Sequence, residues 1–222
     1  MALNRLRAGL GRAHSSAAPP PVRILEGLFG LLDHRVLVVL CEAGVPDALQ
    51  QPTTVAALAD QLTVDQATLQ RLCEYADGRG WLRLDRKGRV RPTRVTEFLR
   101  TDHPGGWRAW VEFAGGAEVG AAVQTLGLST NVPDPFAAAN GAPFFEWMRA
   151  HPERWATFDR AMAAGGRMHA LGLSAAIDWR GATSVCDVGG GTGELLATLL
   201  DLQPHLRGRL LDLPDVVARA VH

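Results

Sequence analysis

Asp187-Val-Gly-Gly-Gly-Thr-Gly193, preceded by the β-branched run from Thr183 and followed by Glu194-Leu-Leu-Ala-Thr-Leu-Leu-Asp-Leu202, decides the fold. A short strand, a glycine turn and an apolar helix in immediate succession form the first unit of a doubly wound α/β sheet. Two competing glycine loops fail on spacing. A dinucleotide fingerprint GxGxxG begun at Gly189 needs glycine where Glu194 stands, and begun at Gly191 it needs glycine where Leu196 stands. A P-loop ends in Gly-Lys-Ser/Thr, and this loop has no lysine. What remains is acidic-x-Gly-x-Gly-x-Gly, made by Asp187, Gly189, Gly191 and Gly193. Bare backbone at alternating positions lets a ligand lie against the strand end and the helix start, where positive φ angles and unpaired amides are available. Beyond Pro204, Gly208 to Asp212 reads as the second strand, and its terminal acid stands 19 positions past Gly193. A carboxylate at that tip can accept both hydroxyls of a ribose.

Working outward, Pro152 suits the first position of a helix that carries Trp155, Phe158, Ala161 and Met162, with Phe144-Phe-Glu-Trp-Met148 just before it. Residues 129–143, rich in Asn, Gly and Pro, read as a loop, and Trp107 to Leu126 as a helical pattern loosened by Gly115-Gly116. Farther back, Thr53 or Thr54 can cap a helix carrying Val55, Leu58, Ala59 and Leu62. A second helix carries Leu69, Leu72, Cys73 and Ala76, and Asp85-Arg-Lys-Gly88 turns between two short strands. Helix, turn, helix and hairpin make a winged helix. The apolar run from Val22 to Ala43 predicts a long helix buried on more than one side, covered in part by a second subunit.

Composition narrows the function classes. Of 222 residues 47% are hydrophobic, and 23 basic residues balance 23 acidic ones, so no global charge favours nucleic acid or an anionic membrane. Locally, residues 65–100 carry nine basic against five acidic side chains, the modest excess a DNA-reading module would use. Cys41, Cys73 and Cys186 are odd in number and far apart, which predicts buried thiols in a reducing cytoplasm and neither a disulfide framework nor a metal site. No run reaches the ~20 apolar residues of a membrane span. Residues 1–21 read as a basic, disordered arm.

Asp187 to Gly193 followed by Leu211-Asp-Leu-Pro-Asp-Val216 resembles the S-adenosylmethionine loop and second strand of the small-molecule O-methyltransferases, the caffeate, acetylserotonin and anthracycline type. The winged-helix region is similar to that family's N-terminal dimerisation domain. The resemblance implies a mainly α, winged-helix dimerisation domain over 22–100 and a helical connector over 101–180. From 181 to 222 it implies the start of a Rossmann-like α/β methyltransferase domain, incomplete after its second strand. It further implies that Asp187, Gly189, Gly191, Gly193 and Asp212 receive S-adenosylmethionine, and that Phe158 and Met162 contact the cofactor while Phe145 walls the substrate pocket. The expected partners are a small aromatic hydroxyl compound and a second copy of the chain. The family often has a serine four residues past the methionine, contacting the carboxylate end of the cofactor; Gly166 stands there instead.

In the family the base is a histidine on a loop well past the second strand. His14, His34, His103, His151, His169, His205 and His222 all lie outside that motif, so no catalytic residue is assigned. Three functions stay open: an O-methyltransferase given incomplete, a non-catalytic dimerisation partner of a full-length relative, and a winged-helix DNA-binding regulator.

Overall fold

A computed structural model describes residues 18–126 and 134–220. Residues 1–17 of the expected arm, residues 129–133 of the expected loop, and His222 lie outside the described residues. The chain divides into two compact units: Arg35–Ala164, and the described residues of Met1–His34 together with those of Gly165–His222.

The Arg35–Ala164 unit is built on the predicted helix, turn, helix and hairpin. The long helix α1 (Pro20–Glu42) leads through α2 (Val45–Ala48) into β1 (Thr53–Thr54), α3 (Val55–Leu62) and α4 (Gln66–Gly78), then β2 (Leu82–Leu84) and β3 (Arg89–Pro92). Local chemistry sets the boundaries. Thr54 Oγ1 accepts from Ala57 N at 3.1 Å to cap α3, and Asp65 Oδ2 accepts from Thr68 N at 2.7 Å to cap α4. In the hairpin turn, Asp85 Oδ1 accepts from Lys87 N and Arg89 N, and these backbone donors hold its carboxyl below the usual carboxylate range. The sheet is antiparallel in the order β1-β3-β2, and its third strand, only two residues long, was not expected from sequence. Val36, Leu40, Leu49, Val55, Leu58, Leu69, Cys73, Leu82 and Val90 form one buried core.

Next come α5 (Arg94–Phe98), α6 (Arg108–Ala114), α7 (Ala117–Thr125), α8 (Pro135–Asn140), α9 (Phe144–Ala150) and α10 (Pro152–Ala176). The helical pattern over 107–126 is two helices, broken at Gly116, whose backbone is extended at ψ 143°; a Cβ at Gly115 would collide with Val38 and one at Gly116 with Arg154 and Glu118. Two ion-pair networks fix this region. Arg108 Nη1 donates to Asp47 Oδ2, Nε to Glu112 Oε1 and Nη2 to Cys41 O, each at 2.7 Å. Arg154 donates from Nε and Nη2 to the buried Glu118 at 2.8 and 2.6 Å.

In the second unit β4 (Ser184–Val188) and β5 (Arg207–Leu211) pair in parallel, Asp187 opposite Leu210 and Val188 opposite Leu211. Helix α11 (Glu194–Leu202) makes the crossover. It can lie close on β5 because Gly208 has no side chain: a Cβ there would stand 2.6 Å from Leu200 Cδ1. The short helix α12 (Pro214–Val217) follows.

Two expectations are corrected, and one is divided. Residues 129–143 are not all loop, since Asp134 Oδ1 accepts from Ala137 N at 2.8 Å and caps α8, which opens on Pro135 and ends at Gly141 with φ +83°. Within one chain the long helix buries Val36, Val38, Leu40 and Cys41, whereas Ile24, Leu28 and Leu31 are exposed, which leaves them to the cover expected of a second subunit. The three thiols are not all buried: Cys41 and Cys73 are, and burial pushes each up to about 11, but Cys186 is exposed. Cys186 belongs to the alternate set of β4 side chains, with Ser184 and Val188, on the exposed face of the two-stranded sheet.

Candidate functional site

The loop predicted to receive a ligand is closed onto the tip of the second strand. Gly189, Gly191 and Gly193 have φ of +73°, +59° and +86°, the left-handed conformations that the alternating pattern anticipates. The turn brings Gly191 N to Asp212 Oδ2 at 2.8 Å, across 21 residues of sequence. Asp212, the first residue beyond β5, accepts from Leu213 N at 2.7 Å through its other oxygen. Its carboxylate is thus oriented by two main-chain amides, with further lone pairs available to hydroxyl donors.

Asp187 lies beneath the loop. Its Oδ2 is buried and has no hydrogen-bond partner among the described residues. Burial, and then the neighbouring charge of Asp212, raise its pKa above the ordinary carboxylate value. An unpaired buried carboxylate oxygen costs free energy unless a donor completes it, so the loop has a polar demand that a ligand or its hydration can meet.

Gly190 is the site residue the sequence pattern passed over. A Cβ there would stand 2.5 Å from Leu210 Cδ1 and 2.6 Å from Asp187 Oδ2, so the glycine is required by close packing, not by φ. Three consecutive glycines, Gly189 to Gly191, that avoid a side chain for two different reasons were the available signal. Gly166 also has a steric reason: its Cβ would lie 3.1 Å from Leu195 N, at the first turn of α11.

The predicted aromatic wall belongs to the Arg35–Ala164 unit. Phe145 and Phe158 meet edge to face at 6.3 Å, and Phe144 and Phe113 each lie 5.3 Å from Phe158. Trp107, Trp110 and Phe113 continue the cluster, and Trp110 Nε1 is buried with no hydrogen-bond partner among the described residues. Met162 lies one turn beyond Phe158 on α10 and is 36% exposed. The fold therefore brings Asp187, Gly189, Gly191, Gly193 and Asp212 together in one unit, and Phe145 with Phe158 in the other. Among the described residues no group of three or more His, Cys, Asp and Glu could hold a metal ion, and no helix is long and apolar enough to cross a membrane.

Two family models match: an O-methyltransferase dimerisation domain over residues 25–102 and an O-methyltransferase domain over residues 117–222. The mitomycin biosynthesis 6-O-methyltransferase of Streptomyces lavendulae is 31% identical over 95% of this chain and 60% of its own length. The aclacinomycin 10-hydroxylase RdmB of Streptomyces purpurascens is 34% identical over 89% of this chain and 54% of its own length. Among solved structures, CalO1, a methyltransferase in calicheamicin biosynthesis in its S-adenosylhomocysteine-bound form, superposes with a TM-score of 0.77 at 28% identity. That match covers 90% of this chain and 60% of the other. The chain thus spans between about half and three fifths of the length of the curated relatives it matches.

Proposed function

The chain belongs to the O-methyltransferase family, its dimerisation domain first and its methyltransferase domain after it, and from that premise we propose that it serves methyl transfer from S-adenosylmethionine to a hydroxyl of a small aromatic or polyketide-like molecule. The observation that carries this reading is the Gly191–Asp212 contact, which sets a carboxylate beside a side-chain-free loop over the unpaired Asp187 oxygen. These residues fit an adenosine. Asp212 accepts the ribose hydroxyls, the glycine backbone admits the nucleoside, and Asp187 holds the loop. Phe158 and Met162 supply apolar contact to the cofactor and Phe145 to the acceptor. S-adenosylmethionine, when bound, supplies an electrophilic methyl group on a sulfonium.

The chain's own part in the reaction is positioning. The loop and Asp212 fix the donor, which lowers the entropic cost of the transfer. Transfer releases the acceptor's proton to a general base or to water. The same reading makes 22–100 the dimerisation domain of a cytoplasmic homodimer, 101–180 a connector, and 181–222 the opening of the cofactor domain.

Isothermal calorimetry with S-adenosylhomocysteine tests the binding half. Wild type should bind, and Asp212→Ala should bind roughly 10- to 100-fold more weakly, the loss of charge-assisted hydrogen bonds. No heat from wild type at millimolar ligand would sink the cofactor reading. Transfer of a labelled methyl group to a phenolic acceptor tests the other half, because a relative named for hydroxylation shares this framework. Binding without transfer is the result expected of a non-catalytic partner subunit.

A further inference from the structure

The β2–β3 hairpin carries a charge that the fold does not use. Within residues 83–94 stand Arg83, Arg86, Lys87, Arg89, Arg91 and Arg94 against the single acid Asp85, in a chain with 23 charges of each sign. All six basic residues are exposed. Leu82 and Val90 point into the core, so alternation turns Arg83, Arg89 and Arg91 to the opposite, solvent-facing side of the sheet. The register sets Arg83 directly opposite Arg91, and like charges in that relation destabilise a strand pair.

Nearby acids do not cancel the charge. Asp77 Oδ1 accepts from Leu84 N at 3.2 Å and lies 3.8 Å from Arg83 Nη1. Asp85 is engaged by backbone amides, and its Oδ2 lies 3.8 Å from Arg91 Nη2. Both ion pairs are long, and the arginine side chains are 65% and 59% exposed, so each pair adds little. Among the described residues Arg86, Lys87, Arg89 and Arg94 form no ion pair. Charges that guard a sheet edge against pairing would account for Arg83 on the outer strand β2. They do not account for Arg89 and Arg91, because β3 is the middle strand.

The face also selects its partner. A second copy docked on it about a twofold axis would set the same six positive charges against themselves. A protein interface has an apolar centre, and firm seating on a membrane adds apolar residues to charge, yet no large hydrophobic side chain within residues 83–94 is exposed. What remains is a partner held by repeated negative charge alone. Five of the six residues are arginine, whose planar fork matches phosphate. The hairpin directly follows α4, the second helix of a helix, turn and helix, which is the position that lies along a duplex groove. Helix α4 itself carries Arg71 against Glu74 and Asp77, so it brings no excess charge with which to read bases.

We propose that the β2–β3 hairpin, with Arg94, binds the phosphate backbone of double-stranded nucleic acid without sequence preference. This binding is separate from methyl transfer and does not depend on it.

Fluorescence anisotropy tests it, with the full 222-residue chain and a labelled DNA duplex. Wild type should bind with a dissociation constant of ~10 µM or tighter at low salt, and the logarithm of the association constant should fall against the logarithm of salt with a slope of about −4. Arg83→Gln, Arg89→Gln and Arg91→Gln combined should weaken binding at least ~10-fold and reduce the slope by about 2 to 3. Arg86→Gln with Lys87→Gln, at turn positions on which no strand pair depends, should reduce it by about 1 to 2, which keeps the test open if the triple variant unfolds. Arg180→Gln, which removes an exposed arginine from the other unit, should change neither affinity nor slope. The assignment is overturned if wild type does not bind, if the slope is near zero, or if one of two unrelated duplexes is strongly preferred. It is equally overturned if both hairpin variants bind as wild type does, or if phosphatidylserine vesicles or an acidic peptide bind and the duplex does not.

Discussion

Asp187 is a carboxylate whose surroundings work against its charge. Its Oδ2 is buried without a partner, Gly190 passes close above it, and Asp212 adds a second negative charge nearby. Burial first, and Asp212 second, place its folded-state pKa above the unfolded value. The folded chain therefore binds the proton more tightly than the unfolded one, and stability declines as pH rises through the interval that starts near the ordinary value of about 4. The ligand-free protein should melt at progressively lower temperature across that interval. Asp187→Asn, which removes the charge at nearly constant volume, should flatten the slope. The difference is expected to be on the order of 1 to 3 °C, since the group is only partly buried. Differential scanning fluorimetry of the two proteins from about pH 4 to 7 checks it, and parallel slopes would remove Asp187 as the cause.

The loop between β4 and α11 contains glycines of two kinds, and substitution separates them. At Gly191 the φ of +59° is the whole obstacle, because among the described residues nothing lies within 4 Å of an added Cβ. Gly191→Ala should cost about 1 to 2 kcal/mol of conformational strain. At Gly190 the obstacle is Asp187 and Leu210 at 2.5 to 2.6 Å, so Gly190→Ala must push the strands or the carboxylate aside and should cost about 2 to 3 kcal/mol. Urea unfolding monitored by circular dichroism should rank Gly190→Ala below Gly191→Ala, and the reverse order would refute the packing argument. The alternating pattern Asp187, Gly189, Gly191, Gly193 was legible because it depends on chain direction at successive residues, which is local. Gly190 was not, because its constraint comes from Leu210 on a neighbouring strand. The same distinction runs through the fold. Asp212 was found by crossover arithmetic, whereas the ion pair of Arg167 with Glu194 depends on where α10 meets α11 and left no trace in spacing. Helix α8 is hidden for a different reason: Asp and Pro are common in loops, and here Asp134 at the cap and Pro135 at the first turn begin a helix. Strand β1 has two residues, too few for any periodicity to register.

At the scale of the whole molecule the main unbalanced feature is the first half of α1. Ile24, Leu28 and Leu31 follow one helical stripe and Leu25, Phe29 and Leu32 the next, and all six are at least 43% exposed. Two adjoining apolar stripes exceed what a water-facing surface carries without a partner, and all but Ile24 fall inside the region that matches a dimerisation domain. The apolar density of 22–43 was readable in the sequence; which part of it the chain covers itself was not, because that depends on the core formed around Val36 and Leu40. The division has a consequence for assembly. Substitutions toward the C-terminal end of α1 should unfold the Arg35–Ala164 unit, whereas substitutions in residues 24–32 should leave that unit intact and affect association alone. Leu28→Glu with Leu31→Glu is therefore expected to convert a micromolar-stable dimer to monomer in sedimentation velocity, with the dissociation constant raised at least ~100-fold by charge placed in an apolar interface. Its helical circular dichroism should stay close to wild type. Val36→Asp should instead lose the cooperative unfolding transition. A wild-type monomer at tens of micromolar, or a double variant that still sediments as the dimer, would mean that these stripes are not the surface through which two chains meet.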